Sequence, residues 1–180
     1  MIRVVTLDEL DPADLAFLTR SLYRAFGLGS ELAGRKPRPP AEERSGRLDA
    51  VALLREVAPI RTFADDKVLY LTTAPLSLPP GPLGEPPCWG FADYGKERAL
   101  VSTARLPPRG TSEASIDAYR QRLARESIHA IGHLWDLHHC VDSRCAMHPS
   151  WSPTLPASPE MDLCAFCREK SERKIRLAKT

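Results

Sequence analysis

The sequence has little of what marks a membrane protein or a nucleic-acid binder. No apolar run in its 180 residues approaches the length that spans a bilayer. The formal net charge is only +2, too small to favour binding to nucleic acid or to an acidic membrane surface. The opening residues, MIRVVTLDELDP, turn acidic within a few positions and do not resemble a secretory signal. We therefore expect a cytoplasmic protein without nucleic-acid or membrane partners.

The length and the composition predict a single α/β domain over residues 1–180. Hydrophobic residues make up 43% of the chain and charged residues 27%, as in an ordinary globular protein with its own core. Strand-like apolar segments alternate with helical patterns, and these segments lie at 2–7, 67–73 and 98–106. The alternation predicts a mixed, twisted sheet with helices packed on it. The short segment CWGFADY (88–94) is predicted to be its antiparallel edge strand.

Helical periodicity predicts three helices. The first follows Asp11-Pro12, the second falls within 40–59, and the third runs from about 112 to 135. Most of the seventeen prolines cluster in four stretches that predict loops, at 37–40, 75–87, 107–108 and 149–159. After the third helix we expect a cysteine-rich segment at 140–167. A basic tail at 168–180 should form a short helix or a frayed, solvated end.

Four of the five cysteines are grouped near the end of the chain, at Cys140, Cys145, Cys164 and Cys167. They are spaced as C-x4-C and C-x2-C. Without a secretory signal, disulfides are a poor explanation, whereas four thiolates at this spacing suit tetrahedral zinc. The alternative is a set of unrelated buried thiols, and Cys88 is best explained as a packed small hydrophobic residue.

A second group of possible ligands lies in the segment HAIGHLWDLHHC (129–140). His129 and His133 are four residues apart on the predicted helix, which puts both imidazoles on one face, one turn apart. His139 could supply a third nitrogen if the helix ends soon after His133. Five histidines in 180 residues pair by chance, so HxxxH alone would indicate only surface histidines. The third histidine and the four cysteines favour a metal site instead.

Together these motifs make the chain resemble the archaemetzincin family, a group of metzincin-type zinc metallopeptidases. The family pattern is HExxHxxGxxHC, four residues, C-x-M, about seventeen residues and C-x2-C. In this sequence Cys140 follows the third histidine directly, and Cys145-Ala146-Met147 and CAFC follow at the matching distances. The resemblance covers roughly residues 65 to 170, including the segment CWGFADYGKERALVSTARL.

The resemblance implies a compact metzincin-like fold that holds two zinc ions per chain. The catalytic-type zinc would be bound by His129, His133 and His139, and the structural zinc by Cys140, Cys145, Cys164 and Cys167. Met147 would lie in a methionine turn below the histidines, as packing and not as a ligand. The edge strand, through Trp89, Gly90, Phe91 and Ala92, would pair with an extended peptide or protein segment in the cleft. A plain edge strand without such a role is an equally good explanation of that segment.

Two positions depart from the family pattern. Ala130 stands where the family has the glutamate that acts as general base, so no catalytic residue of that kind is intact. Glu126 lies one turn earlier with its side chain leaning away from the metal, so we do not expect it to compensate. Asp136 stands where the family has a glycine at a sharp turn, and aspartate can adopt the positive φ at a modest cost. That change leaves His138 as a conceivable ligand in place of His139, although the spacing favours His139.

These observations predict an archaemetzincin-like zinc protein whose peptide-bond hydrolysis is weak or absent. Loss of one positioned acid–base group lowers a rate roughly 10²–10⁴-fold. A peptide-binding pseudoenzyme or regulator is the main alternative. A zinc-ribbon-like nucleic-acid module fits less well, because the charge is near neutral and the basic tail lacks interleaved aromatic residues.

Overall fold

A computed structural model describes residues 1–40, 43–44, 46–57, 59–60, 62–63, 65–81, 87–106, 109–149 and 162–178. Its elements, in chain order, are β1 (Ile2–Thr6), α1 (Pro12–Phe26), β2 (Ser30–Arg35), β3 (Glu43–Arg44), β4 (Arg47–Asp49), α2 (Ala50–Glu56), β5 (Lys67–Thr72), β6 (Leu76–Ser77), β7 (Pro87–Cys88), β8 (Gly90–Ala92), β9 (Arg98–Ser102), α3 (Glu113–Leu134) and α4 (Ala165–Ala178). None of the helices in these ranges has both the length and the apolar character needed to cross a membrane.

The main sheet has five strands in the order β2-β1-β5-β9-β8. The pairs among β2, β1, β5 and β9 are parallel, while β8 runs antiparallel to β9 at the edge. All six residues of β5 are buried, as expected for a parallel strand covered on both faces. The predicted mixed α/β sheet with an antiparallel edge strand is confirmed.

Alternation along the central strands divides the core into two layers. Leu69 and Leu71 point to the layer that contains α1, α3 and the buried residues of α4. Val68 and Tyr70 point to the opposite layer, which α2 covers. This separation follows from the two-residue period of a strand. Helix α3 packs on β5, β9 and the edge strand β8.

Several elements differ from the sequence-based prediction. Strand β2 was not predicted, because its sequence SELAGR is almost wholly exposed and lacks an alternating apolar face. The segment CWGFADY is divided between β7 and β8, which belong to different sheets. Leu76–Ser77 forms the buried strand β6 inside a proline-rich stretch predicted as loop. The predicted strand at 98–106 ends at Ser102. Of the predicted proline loops, 107–108, residues 82–86 of the loop at 75–87 and residues 150–159 of the loop at 149–159 lie outside the described residues.

Helices α3 and α4 carry members of the two ligand groups of the sequence, His129 and His133 on α3 and Cys167 on α4. Ser112 caps α3 by accepting a hydrogen bond from the Ser115 N–H. The helix runs to Leu134, within a residue or so of its predicted end. The basic tail forms α4, and Cys167, Ser171 and Ile175 on one face of it are buried. This helix is therefore part of the packed core as well as of the surface.

Candidate metal centre

Three histidines converge at the C-terminal end of α3, and we call His129, His133 and His139 the histidine group. One ring nitrogen from each lies within 4.8 Å of the others. The two Nε2 atoms of His129 and His133 are 2.9 Å apart, as expected for neighbours one turn apart on a helix. His138 lies outside this group and stacks on Tyr94, with ring centroids 5.6 Å apart. The geometry thus favours His139, as the spacing did.

Backbone carbonyls fix the orientation of the two helical histidines. The Nδ1–H of His129 donates to the carbonyl oxygen of Ala146 at 2.8 Å, and the Nδ1–H of His133 donates to that of Leu137, also at 2.8 Å. Each carbonyl accepts only, so it selects the tautomer that carries its proton on Nδ1. The lone pairs of both Nε2 atoms are then directed into the group, which is the orientation that metal-binding histidines adopt.

The histidine group is built to stay uncharged. Burial lowers the pKa of His129 to about 3 and that of His133 to about 4, and neighbouring imidazoles add to the effect on each. The pKa of His139 is also lowered, again mainly by burial. Two uncharged acceptor nitrogens facing each other at 2.9 Å repel, and a cation between them removes the repulsion. Three neutral imidazoles are a donor set that suits Zn²⁺.

A tight turn after α3 carries the chain back to His139. Asp136 has φ 57°, and it is the one described non-glycine residue with positive φ. Its N–H donates to the His133 carbonyl and the Leu137 N–H donates to the Gly132 carbonyl, the Schellman pattern of a helix end that usually has glycine at this position. The carboxylate of Asp136 pairs with Lys174 of α4 at 2.8 Å. Aspartate therefore makes the turn, and its carboxylate is used to bind α4.

Met147 packs directly below the histidines. It is fully buried, and a Cβ added at Gly132, between the two helical histidines, would overlap its sulfur. Glycine at 132 is thus required by close packing, which offsets its low helix propensity. The Cys140 N–H donates to the Met147 carbonyl at 3.0 Å. Met147 fills space against the helix.

The four grouped cysteines also converge, and we call Cys140, Cys145, Cys164 and Cys167 the cysteine cluster. Their sulfurs all lie within 4.8 Å of one another. The Cys140 and Cys164 sulfurs are 3.8 Å apart, close to the separation of about 3.8 Å that follows from tetrahedral zinc with 2.3 Å zinc–sulfur bonds. The N–H groups of Met147 and Cys164 donate to the Cys145 sulfur at 3.4 Å. Four sulfurs with N–H donors around them suit a zinc tetrathiolate.

The thiol pKa values of Cys145, Cys164 and Cys167 are shifted in different directions. Burial raises the pKa of Cys145 to about 11 and also raises that of Cys167. For Cys164 burial acts in the same direction, but hydrogen bonds to the sulfur outweigh it and the pKa falls below its usual value. A bound cation would favour the thiolate of all four.

The edge strand β8 borders a pocket of about 90 Å³ above the histidine group. The pocket is lined by Trp89, Gly90, Phe91, Ala92, Val101, Glu126, His129, Ala130 and His133. A side chain at Gly90 would collide with the Leu100 carbonyl of β9, so glycine lets the edge strand lie close. Ala130 is 6% exposed, and it is one of the residues that line this pocket.

Residues around this pocket that the sequence did not indicate include two buried arginines. Arg122 and Arg125 each place a guanidinium nitrogen 3.2 Å from the Glu126 carboxylate. Burial raises the pKa of Glu126, and the two guanidinium groups oppose this. Arginine on a helix normally predicts a solvated face, so only the tertiary structure reveals the buried cluster. Tyr94 is also new, since its ring centroid lies 4.4 Å from that of His133.

No protein-family model matches the chain. In sequence it is similar to the archaemetzincin of Pyrococcus furiosus, with 27% identity over 184 residues that cover 97% of this chain and 94% of that protein. A shorter match to the archaemetzincin of Natronomonas pharaonis is 34% identical over 88 residues and covers 46% of this chain and 50% of the relative. The archaemetzincin of Methanopyrus kandleri is 31% identical over 111 residues, 62% of this chain and 58% of that one.

Solved structures share the fold. The crystal structure of the Methanopyrus kandleri archaemetzincin superposes with a TM-score of 0.78, 24% identity and coverage of 97% of this chain and 94% of that one. The archaemetzincin of Archaeoglobus fulgidus, crystallised with malonate, gives 0.71 at 23% identity, with coverage of 94% and 99%. A zinc-dependent peptidase from Methanocorpusculum labreanum gives 0.75 at 20% identity, with coverage of 95% and 100%. In sequence the chain is similar to archaemetzincins, and it shares the fold of their solved structures.

Proposed function

We propose that the chain is a zinc protein of the metallopeptidase type that binds extended peptides and cleaves them weakly or not at all. One zinc ion would be held by the histidine group and a second by the cysteine cluster. The observation that carries the proposal is the convergence of three imidazoles directly below an antiparallel edge strand. Zinc in such a histidine site supplies Lewis-acid chemistry, polarising a carbonyl and making water more acidic.

Peptide binding would use the exposed side of β8. This strand lies at the end of the sheet, where its outward N–H and C=O groups can pair with an added strand. Trp89, Phe91 and Ala92 line the pocket beside the histidine group, so a peptide bound along β8 would direct a side chain toward that pocket. Backbone pairing would give affinity, and the pocket would give selectivity.

Cleavage would lack its general base. Ala130 borders the pocket where that base is expected from the family pattern, and a methyl group accepts no proton. Glu126 borders the same pocket, but its carboxylate is bound by the guanidinium groups of Arg122 and Arg125. Taking up a proton would weaken both ion pairs, so Glu126 is a poor substitute. The expected loss is roughly 10²–10⁴-fold in rate. Ala130 therefore also favours the second candidate, a peptide-binding pseudoenzyme.

Replacing the alanine tests the proposal directly. The variant Ala130→Glu should gain peptide hydrolysis by roughly 10²–10⁴-fold over the unmodified chain in a fluorogenic peptide assay. The matched control is Ala130→Gln, because glutamine has nearly the same shape as glutamate but cannot act as a base. A folded, zinc-loaded Ala130→Glu variant that is no faster than Ala130→Gln would argue against the peptidase architecture.

Zinc stoichiometry tests the two metal sites. Elemental analysis should find two zinc ions per chain, and one after both His129 and His133 are replaced by alanine. A single zinc ion in the unmodified chain, retained after both histidines are replaced, would exclude metal binding at the histidine group. The proposal places the protein in the cytoplasm, because a cluster of four metal-binding thiols is typical of a reducing compartment.

A further inference from the structure

The segment Cys145-Ala146-Met147 connects the cysteine cluster to the histidine group. Cys145 contributes a sulfur to the cluster, and the next residue, Ala146, accepts the Nδ1–H of His129 at 2.8 Å. Met147 packs against Gly132, between the two helical histidines. Three consecutive residues thus contact both sites.

Hydrogen bonds with residues beside the cysteine cluster hold this segment in place. The Cys145 sulfur accepts hydrogen bonds from the N–H groups of Met147 and Cys164 at 3.4 Å. The Ala146 N–H donates to the Asp162 carbonyl at 2.9 Å. Both distant partners belong to the stretch that leads into Cys164. The carbonyl that orients His129 therefore depends on how residues 145–147 lie against residues 162–164.

Helix α4 forms a second connection between the two sites. Its residue Cys167 belongs to the cysteine cluster, and two turns later Lys174 pairs with Asp136 at 2.8 Å. Asp136 is the residue with positive φ in the turn that leads to His139. Anchoring α4 through Cys167 thus also anchors the turn that delivers the third imidazole.

We propose that metal bound in the cysteine cluster positions the histidine group and raises its metal affinity. Without that metal, residues 145–147 and 162–167 are joined through hydrogen bonds and packing. With it, four metal–sulfur bonds hold them at fixed distances, so the Ala146 carbonyl keeps His129 in one tautomer. Loss of such an orienting partner typically lowers metal affinity 10–100-fold. The proposal rests on both groups binding metal, as proposed above.

The unmodified chain provides the first test. One equivalent of ¹¹³Cd²⁺, a thiophilic ion, is added to the metal-free protein, and its chemical shift reports occupation of the four sulfurs. The His129 ring nitrogens are then observed by ¹⁵N NMR, and zinc affinity at the histidine group is measured by calorimetry. We expect a single Nδ1–H tautomer for His129 with cadmium bound and a mixture without it. Equal tautomer populations in the two states would overturn the proposal.

A pair of serine variants provides the second test. Cys164→Ser removes one sulfur of the cluster, whereas Cys88→Ser makes the same change at a cysteine outside it. Cobalt absorption should show a 10–100-fold loss of affinity at the histidine group in Cys164→Ser and none in Cys88→Ser. Unchanged affinity in a folded Cys164→Ser variant would overturn the coupling alone. A cadmium-loaded, unmodified chain that takes no second metal would overturn the proposed function as well. If Cys164→Ser does not fold, the tautomer measurement on the unmodified chain decides.

Discussion

Close packing between Gly132 and Met147 leads to a quantitative prediction about Gly132→Ala. In an open helix, alanine is more stable than glycine by about 1 kcal/mol. Here the added Cβ would overlap the Met147 sulfur and come within 3.4 Å of a Leu137 methyl group. Met147 is fully buried, so it has little room to move, and overpacking of this kind costs about 1–3 kcal/mol. We expect a net loss of about 0–2 kcal/mol where helix propensity alone predicts a gain.

A double-mutant cycle isolates the contact. Met147→Ala alone should destabilise the protein by about 2–5 kcal/mol, because it leaves a cavity in the core. In the Gly132→Ala background the new methyl group extends into that cavity, so Met147→Ala should cost at least about 1 kcal/mol less. The measurement is urea unfolding of the metal-free and zinc-loaded proteins, with circular dichroism as the signal.

The control for this cycle is Gly81→Ala, since a Cβ at Gly81 meets nothing within 4 Å. Its effect should add to that of Met147→Ala within about 0.5 kcal/mol. The reasoning about Gly132 would be refuted if its cycle with Met147 were equally additive, because the sulfur would then not contact the helix as described.

Two further predictions concern the turn and the histidines. Asp136→Gly and Asp136→Ala both remove the ion pair with Lys174, but only glycine adopts φ 57° without strain, so the alanine variant should be less stable by about 1 kcal/mol in urea unfolding. Equal stabilities would show that the positive φ is not retained in solution. The second prediction concerns pH: the pKa values of His129 and His133 are lowered to about 3 and about 4 in the folded chain, so the unfolded chain binds more protons below pH 6.5. The free energy of unfolding of the metal-free protein should fall as pH drops from about 6.5 to 4, by roughly 1.4 kcal/mol per pH unit for each uncharged histidine. Replacing His129 and His133 by glutamine should remove their share of this slope and leave the smaller share of His139, whose pKa is also lowered. An unchanged slope in that variant would refute the prediction.

Local sequence patterns predicted the parts of the fold in which neighbouring residues along the chain determine the secondary structure. The apolar run KVLYLTT predicts a strand at 67–73, and the structure has one at Lys67–Thr72. Strand β2 could not be predicted in this way, because its side chains are mostly exposed and it is held by backbone pairing with β1. The division of CWGFADY between two sheets also escaped prediction, since pairing partners far away in the chain determine it.

The sequence by itself determined which residues could bind metal. Four-residue spacing on a helix necessarily puts His129 and His133 on one face, and the grouped cysteines need only a short return of the chain to meet. Only the tertiary structure decided how these groups are held. The carbonyl of Ala146 that orients His129, and the arginines that bind Glu126, act through contacts between elements packed against each other. Such contacts depend on how the core is filled, and no local periodicity records them.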